Sequence, residues 1–482
     1  MKEGSAEEVS GSVNYVSTRG IAPKLGFCDV LLAGLARDGG LYVPESWPRF
    51  SRDELVHLSG RPYDEVAFAV IRRFVGGEIA DALLARLCRE AYAAFTHPAV
   101  APLIQTGANS FILELFHGPT LAFKDVAMQL VARLMDHVLG ERGRRATIVG
   151  ATSGDTGGAA IEAFRGREAS DIFILFPKGR VSPVQQRQMT TAREANVHAI
   201  AIEGSFDDCQ AIVKALFNDH RFRDRVSLSG INSINWGRIV AQIVYYVTAA
   251  LSLGAPHRAI SFTVPTGNFG DIFAGYAAKR IGVPIEKLVI ATNANDILVR
   301  TLESGRYETS GVVPTQSPSM DIQVSSNFER LLFEAGGRDA GMVRELMASL
   351  AQSGAFTVPS ATIDAIRAEF TAGRADEAAT ADMMRATLAQ CGYLADPHTA
   401  VALSVAARMD VSVAPMVTLA TAHPAKFPAA VEAATGVAPA LPAALGDLTR
   451  REERFAILPN DSTAVARFVE ERARAVAERA GA

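Results

Sequence analysis

Between residues 146 and 292, short β-branched runs repeatedly end in loops that lead into helical stretches. "ATIVG" (146–150) enters a glycine-rich loop and then "AAIEAF", and "DIFILF" (171–176) precedes "PKGRVSPVQQRQM". "VHAIAIEG" (197–204) precedes "FDDCQAIVKALFND", while "AISFTV" (259–264) passes through "PTGNFGD" into "IFAGYAAKRIG", with "KLVIAT" (287–292) after it. Strand, loop and helix in that order predict parallel strands joined by helical crossovers that cover both faces of a sheet. In such sheets ligands gather beyond the carboxyl ends of the strands.

The flanks read differently. Residues 1–100 carry amphipathic helical patterns, "SRDELVHLSG" and "IADALLARLCREAYAAF", and form an N-terminal, mostly helical domain. "HPAVAPLIQ" (97–105), with two prolines, reads as a linker. We expect a smaller α/β domain over 101–255 and a larger one over 256–440, which contains one further strand, "PMVTLA" (415–420). Residues 441–482 form a C-terminal helical tail whose "TAVARFVEERARAVAERA" reads as a charged, solvent-facing packing element.

Composition narrows the class. A chain of 482 residues that is 49% hydrophobic can bury a large core. A formal net charge of −4 and a pI near 6.2 give no electrostatic reason to expect nucleic acid. The four cysteines (Cys28, Cys88, Cys209, Cys391) form no C-x-x-C pair, which argues against a zinc knuckle or a disulfide framework and for a reducing, cytoplasmic setting. The first twenty residues lack the apolar core of a signal peptide. The most apolar run, "IVAQIVYYVTAALSLG" (239–254), is interrupted by Gln242 and reads as a buried helix, so no membrane is expected. No metal site is indicated: H-E-x-x-H is absent, and His117, His398 and His423 each stand beside Gly or Pro in what read as turns. "TSGDTGG" also departs from the G-x-S-x-G elbow of serine hydrolases.

Two loops at predicted strand ends are suited to anions. In "GATSGDTGGAA" (150–160), glycines leave main-chain N–H groups clear at a helix N-terminus, with Ser153, Asp155 and Thr156 beside them. A plain helix cap would use the same residues. "PTGNFGD" (265–271) could form a nest of successive amides. Neither loop has the spacing of a nucleoside-triphosphate or dinucleotide fingerprint. A third feature is Lys124 in "HGPTLAFKDVAMQ" (117–129), an amine within an apolar run. Burial disfavours the ammonium and would make the lysine a nucleophile able to bond an aldehyde cofactor. The alternatives are a stem that snorkels to water or a pair with Asp125.

Taken together, "HGPTLAFKDVAMQ", "GATSGDTGGAA", "INSINWGRIVAQIVYY", "VPTGNFGDIFAGYAAK", "SPSMDIQVSSNFERLLF" and "TAHPAKFPAAV" closely resemble the threonine synthase family of pyridoxal-phosphate (PLP) enzymes. "VNYVSTRG" and "DGGLYVPE" resemble that family's N-terminal region, and the resemblance runs in order from about Asn14 to Pro428. It implies a fold-type II PLP enzyme, with two parallel-sheet α/β domains plus the N-terminal domain. The implied lyase reaction, the last step of threonine biosynthesis, converts O-phospho-L-homoserine and water to L-threonine and phosphate.

Position by position, the resemblance makes Lys124 the catalytic Schiff-base lysine. It gives Gly267, Asn268, Phe269, Gly270 and Asp271 to the cofactor phosphate, and Thr421 to the pyridine nitrogen. Thr152, Ser153, Gly154, Asp155 and Thr156 would receive the substrate, its carboxylate lying near the cofactor's phenolic oxygen. Many relatives of the fold carry Asn in place of Asp155, and an acid there must be protonated or sit differently to approach a phenolate. Lys426, Ser317, Ser319 and Asp321 are secondary substrate-site candidates; Lys178, Arg187 and Arg238 are candidates for the leaving phosphate. A monomer or homodimer is expected. The competing readings are another lyase of the same fold such as a serine/threonine dehydratase, a catalytically silent relative, and a dinucleotide-dependent oxidoreductase.

Overall fold

The computed structural model of the protein describes residues 12–476. Two principal sheets organise the chain. The five-stranded sheet runs Ala456–Pro459, Val197–Glu203, Ser170–Pro177, Ala146–Ala151, Leu228–Ser229, with every neighbouring pair parallel. The six-stranded sheet runs Phe370–Arg374, Ile285–Thr292, Ile260–Pro265, Met416–Ala420, Ser110–Glu114, Leu103–Gln105. Only its last pair is antiparallel. The strands seen in the sequence are all present, because buried parallel strands are near-continuous apolar runs.

Four segments differ from the expected organisation. Leu103–Gln105, read as part of a linker, is a strand, and with Ser110–Glu114 it joins the sheet of the 256–440 segment rather than that of 101–255. Phe370–Arg374, "FTAGR", is an edge strand that its glycine and arginine disguise. The tail, read as a solvent-facing packing helix whose last residues lie outside the described ones, also contributes a strand. Ala456–Pro459 extends the five-stranded sheet, and the helix Ser462–Glu470 buries Val465 and Val469 against the helix Phe206–Asn218. Arg474 adds an ion pair to Asp171 at 2.7 Å.

The long helix Trp236–Ser252 is the spine of the molecule and is buried along nearly its whole length. It packs against the helices Tyr63–Val75, Lys124–Glu141 and Gly270–Arg280, so it joins the N-terminal helices to both sheet layers. Tyr15, Trp47, Phe74 and Trp236 form an aromatic cluster at this junction, and the Tyr15 hydroxyl donates to Phe74 O at 2.7 Å. Each large apolar side chain fully buried here contributes about 1.5–3 kcal/mol. No helix of the described residues is long and apolar enough to cross a membrane.

Candidate active site

The strands Ala146–Ala151, Ile260–Pro265 and Met416–Ala420 deliver three loops to one cavity of about 810 Å³. Lys124 reaches it by a short irregular pairing. His423 N donates to Leu121 O at 3.0 Å and Phe123 N to Thr421 O at 2.9 Å, with a bridge between Ala122 and Ala422. Leu121 adopts φ 61°, a left-handed turn that a branched residue accepts only under constraint. The chain then enters the helix Lys124–Glu141 directly at the lysine. Two distant loops are thereby locked together, and Lys124 and Thr421 share the cavity wall.

Lys124 is 8% exposed, its ammonium 4.5 Å from the centre of the Phe123 ring. Burial lowers its pKa from the ordinary lysine value; Asp155 opposes that shift, while Lys426 and Arg238 add to it. Asp155, not Asp125, faces the amine: Oδ2 lies 3.6 Å from Lys124 Nζ. Asp125 instead accepts from the Thr120 amide (2.7 Å) and hydroxyl (2.6 Å).

The loop Thr152–Thr156 begins the helix Asp155–Phe164. The Thr152 hydroxyl accepts from the amides of Gly154 and Gly157, each at 2.9 Å. Gly154 has φ 145°, a conformation L side chains rarely adopt, and a Cβ there would lie 2.4 Å from Gln185 Cδ and displace that side chain. Gln185 Nε2 in turn donates to Asp155 Oδ1 at 2.8 Å. Lys426 Nζ lies 2.7 Å from the same oxygen and 2.7 Å from Thr120 O. Burial alone would raise the Asp155 pKa, but Lys426 and then Lys124 outweigh it and hold the group well below the usual carboxylate range. Asp155 is therefore ionised and turned toward a lysine. Its charge would repel a substrate carboxylate, so only the main-chain part of this loop suits that ligand.

The turn Gly267–Gly270 leads into the helix Gly270–Arg280, with Phe269 at φ 64°. Its carbonyls are pinned away from the cavity. Ser325 donates to Gly267 O at 2.6 Å, and Asn327 donates to Asn268 O from both its amide (3.0 Å) and its Nδ2 (2.9 Å). Since each peptide is planar and trans, fixing those carbonyls turns the Asn268 and Phe269 N–H groups the other way. Arg330, fully buried, bonds Asn327 Oδ1 and also Tyr42 O (3.0 Å) and Ile234 O (2.7 Å). The arrangement makes a rigid anion nest at a helix N-terminus. Asp271, just after the turn, accepts from Tyr245 (2.5 Å) and Tyr246 (2.9 Å) on Oδ1, while Oδ2 has no partner. Burial raises its pKa to about 6 against those hydrogen bonds and the charges of Lys124 and Arg238.

The remaining candidates separate. Arg238 lies on the cavity wall, 3% exposed, with Nε unpartnered and Nη1 3.4 Å from Ile231 O. Burial lowers its pKa to about 10. Lys178 and Arg187 do not line the cavity; they pair with Glu203 and Glu453. Ser319 and Asp321 line it, Asp321 held by Asn293, Asn295 and Thr315, and Ser317 lies buried in that network. His398 is not in a turn: it occupies the first turn of the helix Pro397–Ala406, 2.7 Å from Asp396, and accepts from Ser319 N at 3.2 Å. Among the described residues no group of three His, Cys, Asp or Glu side chains could hold a metal ion. Sequence reasoning missed Ser325, Asn327 and Gln185. The only signal was the unusually polar start of "SSNFERLLF".

Three family models match the chain: Threonine synthase N terminus over residues 14–92, Pyridoxal-phosphate dependent enzyme over 96–422, and Threonine synthase, C-terminal over 399–469. A threonine synthase of Pseudomonas aeruginosa is 55% identical, over 95% of this chain and 98% of that protein. The crystal structure of PLP-bound threonine synthase from Brucella melitensis matches with TM-score 0.94 and 65% identity, over 96% of this chain and all of that one. Yeast threonine synthase matches with TM-score 0.90 and 39% identity, over 96% and 99%.

Proposed function

From the premise that this chain belongs to the threonine synthase family of PLP-dependent enzymes, we infer that its central cavity converts O-phospho-L-homoserine and water to L-threonine and phosphate. The residues present suit PLP. A buried amine shares one cavity with a nest whose carbonyls are tied back, and with the hydroxyl-bearing Thr421. We assign Lys124 to the cofactor's aldehyde, the Gly267–Gly270 amides and the helix end behind them to its phosphate, and Thr421 to its ring nitrogen. Bound there, the cofactor supplies an electron sink for negative charge developed beside the amino-bearing carbon of the substrate.

The protein's own groups must then move protons. Lys124 takes the proton from Cα; that proton must leave the amine, to water in the open cavity, before the four-carbon stem lets the same, again neutral, amine take a second from Cβ one bond further on. A depressed pKa keeps more of that amine in the basic form. The amides of Asp155 and Thr156, left over once Thr152 has taken those of Gly154 and Gly157, suit the substrate carboxylate. Among the described residues, Arg238 is the buried cation on the cavity wall without a carboxylate partner, which suits it to the phosphate that departs from Cγ. Every group named belongs to one chain, so the reading accommodates a monomer or a homodimer, and the unpaired cysteines fit a cytoplasmic location.

The observation that carries this reading is the Lys124 amine, buried on the same cavity as both glycine loops. The test is phosphate release from O-phospho-L-homoserine by the PLP-loaded protein, with threonine as the organic product. Formation of 2-oxobutanoate from free threonine as the main activity would instead identify a dehydratase.

A further inference from the structure

Lys426 is fully enclosed and does not line the cavity, so it cannot touch a substrate or the cofactor. Its ammonium has two partners, Asp155 Oδ1 and Thr120 O, each at 2.7 Å. A buried ion pair is weak evidence for stability, since well-packed apolar residues of similar volume often serve as well. The position of this pair is the informative feature: the other oxygen of Asp155 is 3.6 Å from Lys124 Nζ. Gln185 reinforces Oδ1 at 2.8 Å and leaves Oδ2 free to face the amine.

We propose that Lys426 is a positioning residue that acts through Asp155, keeping it a carboxylate whose Oδ2 is reserved for the Lys124 ammonium. The proposal rests on the reading of Lys124 as the base. When the substrate's Cβ–H bond breaks, the proton bonds to Lys124 Nζ and the electron pair stays with the substrate carbon, to be released as phosphate departs from Cγ. The resulting ammonium is held as an ion pair by Asp155 Oδ2, 3.6 Å away, without surrendering its proton. It is thereby held in place until it returns that proton to Cγ. Nothing is consumed, and Lys426 and Asp155 end as they began. Burial, Lys426 and Arg238 all disfavour the Lys124 ammonium, so Asp155 is the group that makes the intermediate protonation state sustainable. Were Lys426 absent, burial would push Asp155 toward the neutral acid, and the acceptor would be lost.

Asp125 and His423 are the further titratable groups that feel the Lys426 charge, and Arg238 from the helix Trp236–Ser252 and Asp271 from the helix Gly270–Arg280 act on Lys124. The test therefore compares Lys426→Met, Asp155→Asn and the double variant, with the wild-type holoenzyme confirming beforehand that phosphohomoserine is turned over. In Lys426→Met, kcat at neutral pH falls about tenfold or more, and its profile gains an acid limb at about pH 6–8 as the unpaired buried carboxylate titrates. KM moves less than about threefold because no substrate contact is lost. The double variant, in which neither charge remains, shows no acid limb, and its melting temperature recovers toward that of the wild type. In the apoprotein of Asp155→Asn, the pH midpoint for capture of PLP by the lysine falls by about one unit or more. A pH-independent loss of kcat in Lys426→Met, an acid limb that persists in the double variant and so belongs to a group other than Asp155, or an unmoved capture midpoint would each overturn the proposal. Failure of the wild-type control would instead overturn the functional reading beneath it.

Discussion

Asp271 should destabilise the apoprotein by an amount that depends on pH. The carboxyl is 7% exposed, one oxygen has no partner, and its pKa is raised from 3.8 to about 6. A carboxyl with a raised folded-state pKa stabilises the fold fully below the unfolded value and loses that contribution as pH rises through the folded value. Two units correspond to about 3 kcal/mol lost by pH 8, but only about 1 kcal/mol lost by pH 4.5. Asp271→Asn keeps an acceptor for Tyr245 and Tyr246 and removes the titration. For a chain of 482 residues the unfolding entropy is about 1 kcal/mol per kelvin. The variant apoprotein should therefore gain about 3 °C in melting temperature relative to wild type at pH 8, and about 1 °C at pH 4.5. Any packing difference that does not titrate cancels between the two pH values, so the change in the gap is the informative quantity. Differential scanning calorimetry of both apoproteins measures it. A gap that stays constant with pH, or widens toward acid, would refute the argument that burial has raised this carboxyl.

Two further substitutions probe the loops and the cation. Arg238→Met should lower kcat/KM for phosphohomoserine roughly 10- to 100-fold, the loss expected for one charge-assisted contact, while PLP titration by absorbance stays near the wild-type value. Gly267→Ala would bring a Cβ within 2.7 Å of Ser319 O and 3.3 Å of Met320 Cα, both main-chain atoms. PLP affinity should fall about tenfold or more with the circular dichroism spectrum intact, since the clash distorts the nest and spares the core.

What the sequence made legible followed the strength of each local signal. Buried parallel strands such as "DIFILF" and "KLVIAT" were recognisable because they lack polar interruption, and the glycine loops because strands and helices bracket them. "FTAGR" and "LIQ" were not, because short edge strands are chosen by their neighbours rather than by propensity. The site divided along the same line. Lys124 and the two loops stood out as local patterns, yet the residues that orient them come from 30 to 306 positions away, as Gln185 to Asp155 and Lys426 to Thr120 show. Asp155 illustrates the limit most clearly. Its identity promised an awkward neighbour for a phenolate, and Lys426 buried beside it, with Lys124 on its other oxygen, explains how it remains ionised.

The most direct test of the central claim is to load the protein with PLP, reduce it with borohydride and locate the modified lysine by mass spectrometry. Lys124 should carry the label. A label on Lys214 at the cavity wall, or on Lys426 beneath Asp155, would mean that a different amine holds the cofactor.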